Sequence, residues 1–423
     1  MTATESSRSA VGAPAGIELR PVTDEEWPDF VRAGEIPFHN EPRPADFELF
    51  RIGFPLELTV AAFEAGRIVA TSGAFDFQLG VPGGADVRTA GVTAVGTLPT
   101  HRRRGLLTAI MRRQLTDYHE AGIPLAALWA SESAIYGRFG YGLASWCLRV
   151  EVPRGSAFVP GVVPAGGRLR LADPQSTQSW ELLAAVDARS RAGRPGRYAR
   201  DAAWMRRTAA DPEHWRDGSG PLQLVLHEGD DGVDGFALYS VTTKWEQSLP
   251  AGQASVRELQ ATSGAVHATL WRYLLDIDLV ATVVARALPL DEPLLAMLAD
   301  PRGARPCLRD NLFVRLVDVP VALAARTYSR PLDTVIAVRD PLCPWNEDRF
   351  RLCGDATGAR CSPTSDAPEL TVSSTTLGAA YLGGPTLRTL AAAGQVQEDR
   401  PGALAAVSAA FHGEVAPYCS EVF

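Results

Sequence analysis

Apolar positions repeat at helical spacing most clearly along Leu107, Ile110, Met111, Gln114, Leu115 and Tyr118, which fall at i, i+3, i+4, i+7, i+8 and i+11. They form one face of a helix that begins near Arg104 and Gly105. The β-branched run Val92 to Thr97 precedes it as a strand, reached through a Pro-Thr turn. Upstream, Ile17 to Val22 reads as a first strand. Thr23 and Glu26 then make a capping box for a helix opened by Trp27, Phe30 and Val31. Leu56 to Phe63 and Ile68 to Phe77 read as a hairpin around Ala65-Gly66, and Pro82 to Asp86 as the next turn. Leu125 to Ala130 is a buried strand.

A Pro- and Gly-rich linker follows, Pro153 to Gly167, and a new unit begins at Leu169-Arg170-Leu171. Its strands Gly235 to Val241 and Ser255 to Ala261, followed by a helix through Ala268 to Leu275, echo the strand, turn, strand, helix order of the first unit. From about Leu312 the character changes again. Leu312 to Pro320 leads into a helix, Val321 to Ala325; strand candidates follow at Thr334 to Val338 and Leu370 to Val372, then Thr376 to Gly384 and two small-residue helices.

The candidate chemistry lies at the first strand-to-helix junction, where Arg102, Arg103, Arg104 and Gly105 stand together. The first N–H groups of a helix lack partners, and with the dipole and adjacent guanidinium groups they make a site for a diphosphate. Two other readings share the pattern. One is a solvated basic turn; the other is a nucleic-acid contact, which the dipole opposes unless an anion is bound.

The junction resembles the acetyl-CoA fingerprint of the GNAT acyltransferases: Gln or Arg, two residues, Gly, one residue, then Gly or Ala. Arg102, Gly105 and Leu107 take those places, with Leu107 departing from the pattern. The run Ser131-Glu132 through Tyr136 and Arg138-Phe139-Gly140-Tyr141 is similar to the segment where GNAT enzymes carry a helix with a tyrosine near the CoA sulfur, although a buried tyrosine is also an ordinary core residue. In the second unit, Thr262-Ser263-Gly264-Ala265-Val266-His267 lacks the arginines. That copy is expected to be degenerate and not to bind CoA, with His267 a helix-entry residue.

Over all 423 residues the chain is similar to the Eis (enhanced intracellular survival) family of N-acetyltransferases. The resemblance implies a mixed α/β (α+β) chain of tandem GNAT folds, the N-terminal one active and the central one degenerate, followed by a sterol-carrier-protein-like α+β domain. The expected boundaries are residues 1–155, 156–308 and 309–423. For the third domain a lipid site and a recruited scaffold are both open, since fold does not carry function.

The resemblance also implies acetyl-CoA as cosubstrate and no metal. Backbone groups of Val95, Gly96 and Thr97 would hold the acetyl end. Arg103, Arg104, Gly105, Leu106, Leu107 and Thr108 would receive the pyrophosphate, and Ser131 and Glu132 would contact the cofactor. Tyr136 would protonate the leaving thiolate. The apolar end Val422-Phe423 suggests a docked terminus, and the resemblance makes the Phe423 carboxylate the base. Transfer would be direct, in a ternary complex, to amines of cationic substrates such as aminoglycosides or lysine side chains, by a homo-hexamer. Glu35, Glu41, Asp46 and Glu48 are candidate substrate acids, whereas Val422 offers none beside the chain end. A lipid carrier and an acyl-CoA sensor, each with a vestigial acyltransferase unit, are the competing classes.

Composition narrows this modestly. With 46% hydrophobic and 21% charged residues the chain reads as an ordinary globular protein, and a net charge of −8 argues against nucleic acid and suits cationic substrates. Neither an apolar run long enough to span a membrane nor a signal-like start is visible in the Ser/Thr/Ala/Gly-rich stretch Met1 to Gly16, so a cytoplasmic location without membrane partners is expected. The 6 cysteines show no metal-ligand spacing. Cys343, Cys353 and Cys361 are the three nearest one another.

Overall fold

The computed structural model describes residues 12–423; the polar start expected at Met1 to Gly16 lies outside them as far as residue 11. The chain forms two compact units, one running up to Ser145 and resuming at Asn311–Phe423, the other Trp146–Asp310.

In the first unit, strand β1 (Ile17–Arg20) leads to helix α1 (Trp27–Glu35) and helix α2 (Pro44–Arg51). The capping box forms by half: the Glu26 carboxylate accepts from the Thr23 N–H at 3.0 Å, while α1 begins beyond Glu26 without a side-chain cap. Strands β2 (Val60–Glu64) and β3 (Arg67–Gly80) make the expected hairpin. Ala65 and Gly66 both take positive φ (48° and 78°), the backbone twist that suits a two-residue turn. Strand β4 (Asp86–Thr97), helix α3 (Leu106–Glu120), strand β5 (Leu125–Leu128) and the short β6 (Gly142–Leu143) follow. Ile110, Met111, Gln114, Leu115 and Tyr118 of α3 are buried, as their period requires.

These strands form a seven-stranded sheet in the order β1-β2-β3-β4-β5, then the strand Phe313–Leu316, then β6. Two irregularities shape it. Ser72 of β3 faces both Ala94 and Val95 of β4, a bulge at which Ala94 takes φ 52°. The parallel pairing of β4 with β5 covers only Thr89 to Gly91 against Leu125 to Ala127. Beyond Gly91 the two strands part, and the sheet opens into a wedge.

The same unit holds a five-stranded sheet, ordered Gly358–Pro363, Arg349–Asp355, Leu332–Arg339, Leu370–Ser373, Val396–Glu398. Arg315, on the strand inserted beside β5, forms a fully buried ion pair with Asp340 at 2.6 Å. Cys343 lies in the apolar core with Met111, Leu115 and Tyr118. Cys353 contacts Asp333, and Cys361 faces Leu352 on the next strand. All six cysteines are free thiols. Among the described residues no helix is long and apolar enough to cross a membrane, and no three His, Cys, Asp or Glu side chains are grouped to hold a metal ion.

The second unit is a seven-stranded sheet in the order Cys307–Asp310, Trp146–Pro153, Val280–Leu288, Gly252–Ala261, Gly232–Thr242, Gln223–Gly229, Arg168–Ala172. The compact divisions thus fall elsewhere than at residues 155 and 308. Trp146–Pro153 pairs with Val280–Leu288 in the second sheet, while Phe313–Leu316 pairs with β5 and β6 in the first. Nothing local in either stretch specifies its partner; the pairing is a property of distant sequence.

Candidate active site

The junction of β4 with α3 is built from a short turn, Pro99–His101, followed by alternating backbone. Arg102 is extended (φ −62°, ψ 155°), Arg103 takes φ 62° and Gly105 φ 80°. The chain therefore bends sharply at Arg103 and again at Gly105 as it enters the helix. Only Gly105 adopts its conformation without strain, and no atom lies within 4 Å of where a Cβ would stand. Helix α3 has no side-chain cap; its first helical bond runs from the Ala109 N–H to the Gly105 carbonyl at 3.0 Å. The N–H groups of Leu106, Leu107 and Thr108 therefore precede the helical ladder and carry the positive end of the dipole.

A cleft of about 590 Å³ opens here. Its walls include Val95, Gly96 and Thr97 of β4, Arg102, Arg103 and Gly105 to Thr108 of the junction, and Ser131, Glu132, Ile135, Tyr136 and Arg138 after β5. Ten of the eleven residues expected to meet the cofactor thus converge on one cavity. Arg104 stands apart from the other ten. Its Nη2 lies 2.6 Å from Glu64 of β2, which also holds the His101 Nε2 at 2.9 Å, and it does not line the cleft. Hydrogen bonds from these two side chains, Arg104 foremost, hold the Glu64 carboxyl down to about 2. The arginines that line the cavity are Arg102, Arg103 and Arg138.

Sequence reasoning missed five further wall residues or gave them no role: Pro37, Phe38, His101, Ile135 and Arg138. Ile135 and Arg138 stand inside the motifs quoted above and were open to notice, and His101 lies between the Pro-Thr turn and Arg102. Pro37 and Phe38 follow α1, with Ile36 and Phe38 both exposed, and carry no local signal. The candidate substrate acids lie elsewhere. Asp46 is buried and accepts from the Arg43 N–H at 2.7 Å at the start of α2, and Glu35 accepts from Asn40 at 2.8 Å. Neither these nor Glu41 and Glu48 line the cleft.

Tyr136 sits on a single 3-10 turn, Tyr136–Phe139, rather than on a helix. Burial, reinforced by the Glu132 charge, pushes its hydroxyl up to about 12, so it is a proton donor at neutral pH. Phe423 is buried but is not a wall of the cleft. Its ring meets Phe77 edge-on (centroids 4.9 Å apart) and ends an aromatic series through Phe75, Phe54 and Trp27. It also packs on Gly91, the last β4 residue paired with β5. The chain end is therefore docked at the apex of the wedge.

A sheet split beyond Gly91, with an uncapped strand-to-helix junction on one side and a buried tyrosine on the other, has the layout of a GNAT-type acetyltransferase. Residues 18–144 and 196–316 each match an acetyltransferase (GNAT) domain family, and residues 319–420 match a sterol carrier protein domain. An uncharacterized N-acetyltransferase of Streptomyces coelicolor is 46% identical over 415 residues, covering 96% of this chain and 100% of that one. N-acetyltransferase Eis of Mycobacterium bovis is 33% identical over 412 residues, covering 94% and 98%. The crystal structure of an Eis protein from Mycobacterium abscessus superposes with a TM-score of 0.82 at 34% identity, over 96% of this chain and 100% of that one. The chain belongs to the Eis family of N-acetyltransferases.

Proposed function

We propose that this acetyltransferase binds acetyl-CoA in the cleft between β4 and β5 and transfers the acetyl group directly to an amine of a small cationic substrate. The observation that carries this reading is the convergence of the uncapped start of α3, three arginines and Tyr136 on one cavity. The pyrophosphate is received by the N–H groups of Gly105 to Thr108 with Arg102 and Arg103, a diphosphate-sized concavity of the right charge. Arg104, spent on Glu64, steadies the loop instead. The backbone of Val95 to Thr97 lies beside the bulge, where strand N–H groups polarise the acetyl carbonyl.

Acetyl-CoA supplies a thioester whose carbonyl carbon accepts the amine nitrogen as its C–S bond breaks. The Phe423 carboxylate takes the proton that the substrate ammonium must lose before its nitrogen is nucleophilic. Tyr136 gives its phenolic proton to the departing sulfur and is held neutral for that purpose by burial. No enzyme nucleophile intervenes, so both substrates occupy the site together.

The net charge of −8 favours a cationic amine, an aminoglycoside or a lysine side chain. With Val422 exposed and apolar beside the chain end, and Asp46 committed to α2, lysine-like monoamines are favoured over polycations that need a cluster of acids. The free thiols accord with work in the cytoplasm, and we retain the homo-hexamer as the working assembly. The test is thiol release from acetyl-CoA against a panel of aminoglycosides, polyamines and lysine peptides. Turnover by the wild type and its loss on a C-terminal extension support the reading. Full turnover with an extension shown intact by mass spectrometry overturns the base.

A further inference from the structure

The C-terminal segment is gripped four residues before its end by one side chain. Asn311, buried, donates from its Nδ2 to the Cys419 carbonyl at 3.0 Å and accepts from the Cys419 N–H on its Oδ1 at 2.9 Å. The asparagine amide thereby takes both backbone hydrogen bonds of Cys419, as a strand partner would. Ser145 orients that amide: its Oγ donates to the same Oδ1 at 2.7 Å and accepts from the Leu312 N–H at 3.1 Å. The Cys419 thiol in turn receives the Trp129 indole N–H at 3.4 Å, from the residue after β5. Only Ser420, Glu421 and Val422 separate this clamp from Phe423, whose ring is seated against Phe77 and Gly91. A Cβ at Gly91 would stand 2.3 Å from the Phe77 ring and 3.2 Å from that of Phe423, so the seat exists because this strand position lacks a side chain.

Two anchors with three residues between them leave the chain end little freedom. We propose that Asn311 is the positioning residue for the Phe423 carboxylate, fixing the arc of chain that carries it to the substrate ammonium. The proposal rests on the reading of Phe423 as the base. No hydrophobic residue of similar size can replace the amide, because two buried backbone groups of Cys419 would lose their partners. Aspartate could accept but not donate. Loosening the clamp lets the carboxylate wander, and displacement of a reacting group by about 1 Å costs on the order of 100-fold in rate.

The experiment uses the full chain and two acceptors: a lysine-like alkylamine, protonated at pH 7, and methoxyamine, which is not. N311A is expected to lower kcat on the alkylamine by about 100-fold while methoxyamine turnover stays within about threefold, since an unprotonated amine does not wait for a base. Acetyl-CoA affinity stays at the wild-type value. Removing Phe423 should give the same split. If Phe423 removal splits the two amines and N311A slows both equally or neither, the base stands and the role of Asn311 falls. If neither variant splits them, the base reading itself fails and takes the proposal with it. S145A removes only the bond that orients the amide and is expected to give a milder split, about tenfold; it serves as the probe should N311A not fold, and an equal effect on both amines then overturns the proposal.

Discussion

Two strand-to-helix junctions, one in each GNAT-type sheet, start from the same plan and end in opposite chemistry. In the second unit Gly252–Ala261 pairs in parallel with Val280–Leu288 only from Gly252 to Val256, and the strand bulges at Arg257 against Leu238 and Tyr239. This repeats the split and the bulge of β4. The connection to the following helix, Gly264–Leu275, is only Thr262-Ser263, and the Ser263 hydroxyl accepts from the Val266 N–H at 3.3 Å. A serine cap thus occupies the helix end that α3 leaves open. Arg257 at the bulge is turned to the carbonyls of Thr208 and Ala210, at 3.1 and 2.7 Å. Near it Asp187, Arg197, Arg200 and Glu258 form a buried ion network with Gln260. His267 is held by Glu292 at 2.6 Å and by the Trp271 indole at 3.0 Å. One junction is left open toward a ligand; the other has satisfied its own groups.

The largest effect expected from this contrast is on stability. Asp187→Ala leaves Arg197 and Arg200 buried with half their counter-charge and should cost about 3–5 kcal/mol, read by denaturant unfolding, with acetyl-CoA affinity of the folded protein unchanged. Altered affinity would mean that the second unit shares in cofactor binding. Next, Tyr136→Phe should keep acetyl-CoA affinity and lower kcat by about 100-fold or more. Because the Tyr136 hydroxyl is raised to about 12, its proton is retained throughout the range below that value. A tyrosine ionising near 10 would impose an alkaline fall in kcat there; this one should impose none up to about pH 10.

Ser263→Ala should cost about 1 kcal/mol of stability and leave turnover unchanged, as expected of a cap with no ligand. Smallest of all, Arg104→Ala should weaken acetyl-CoA by less than about threefold, since its guanidinium is exposed and engaged by Glu64. Arg103→Ala should weaken it more. The reverse ranking, by calorimetry, would show that Arg104 leaves Glu64 when the cofactor binds.

How far the sequence carried these readings depended on the range of the interaction. The α3 period, the Ala65-Gly66 turn and the missing arginines before His267 are written within a few residues of one another and were legible. Among three consecutive arginines, choosing those that face the cleft requires the φ of Arg103 and the position of Glu64 on another strand. The insertion of Phe313–Leu316 beside β5 and the burial of Asp46 depend equally on distant partners. The Phe423 seat needs Gly91, Phe77 and a sheet that splits beyond them; only resemblance pointed to the chain end at all.

Of the two junctions, only that of β4 with α3 is expected to bind the cofactor. Titration calorimetry of acetyl-CoA into the intact chain and into Gly105→Asp tests it directly, since the substitution brings strain at positive φ and a like charge into the anion site. One site per chain is expected in the wild type, and an affinity weaker by at least about 30-fold, on the order of 2 kcal/mol, in the folded variant. Two sites per chain, or unchanged binding in Gly105→Asp, would contradict it.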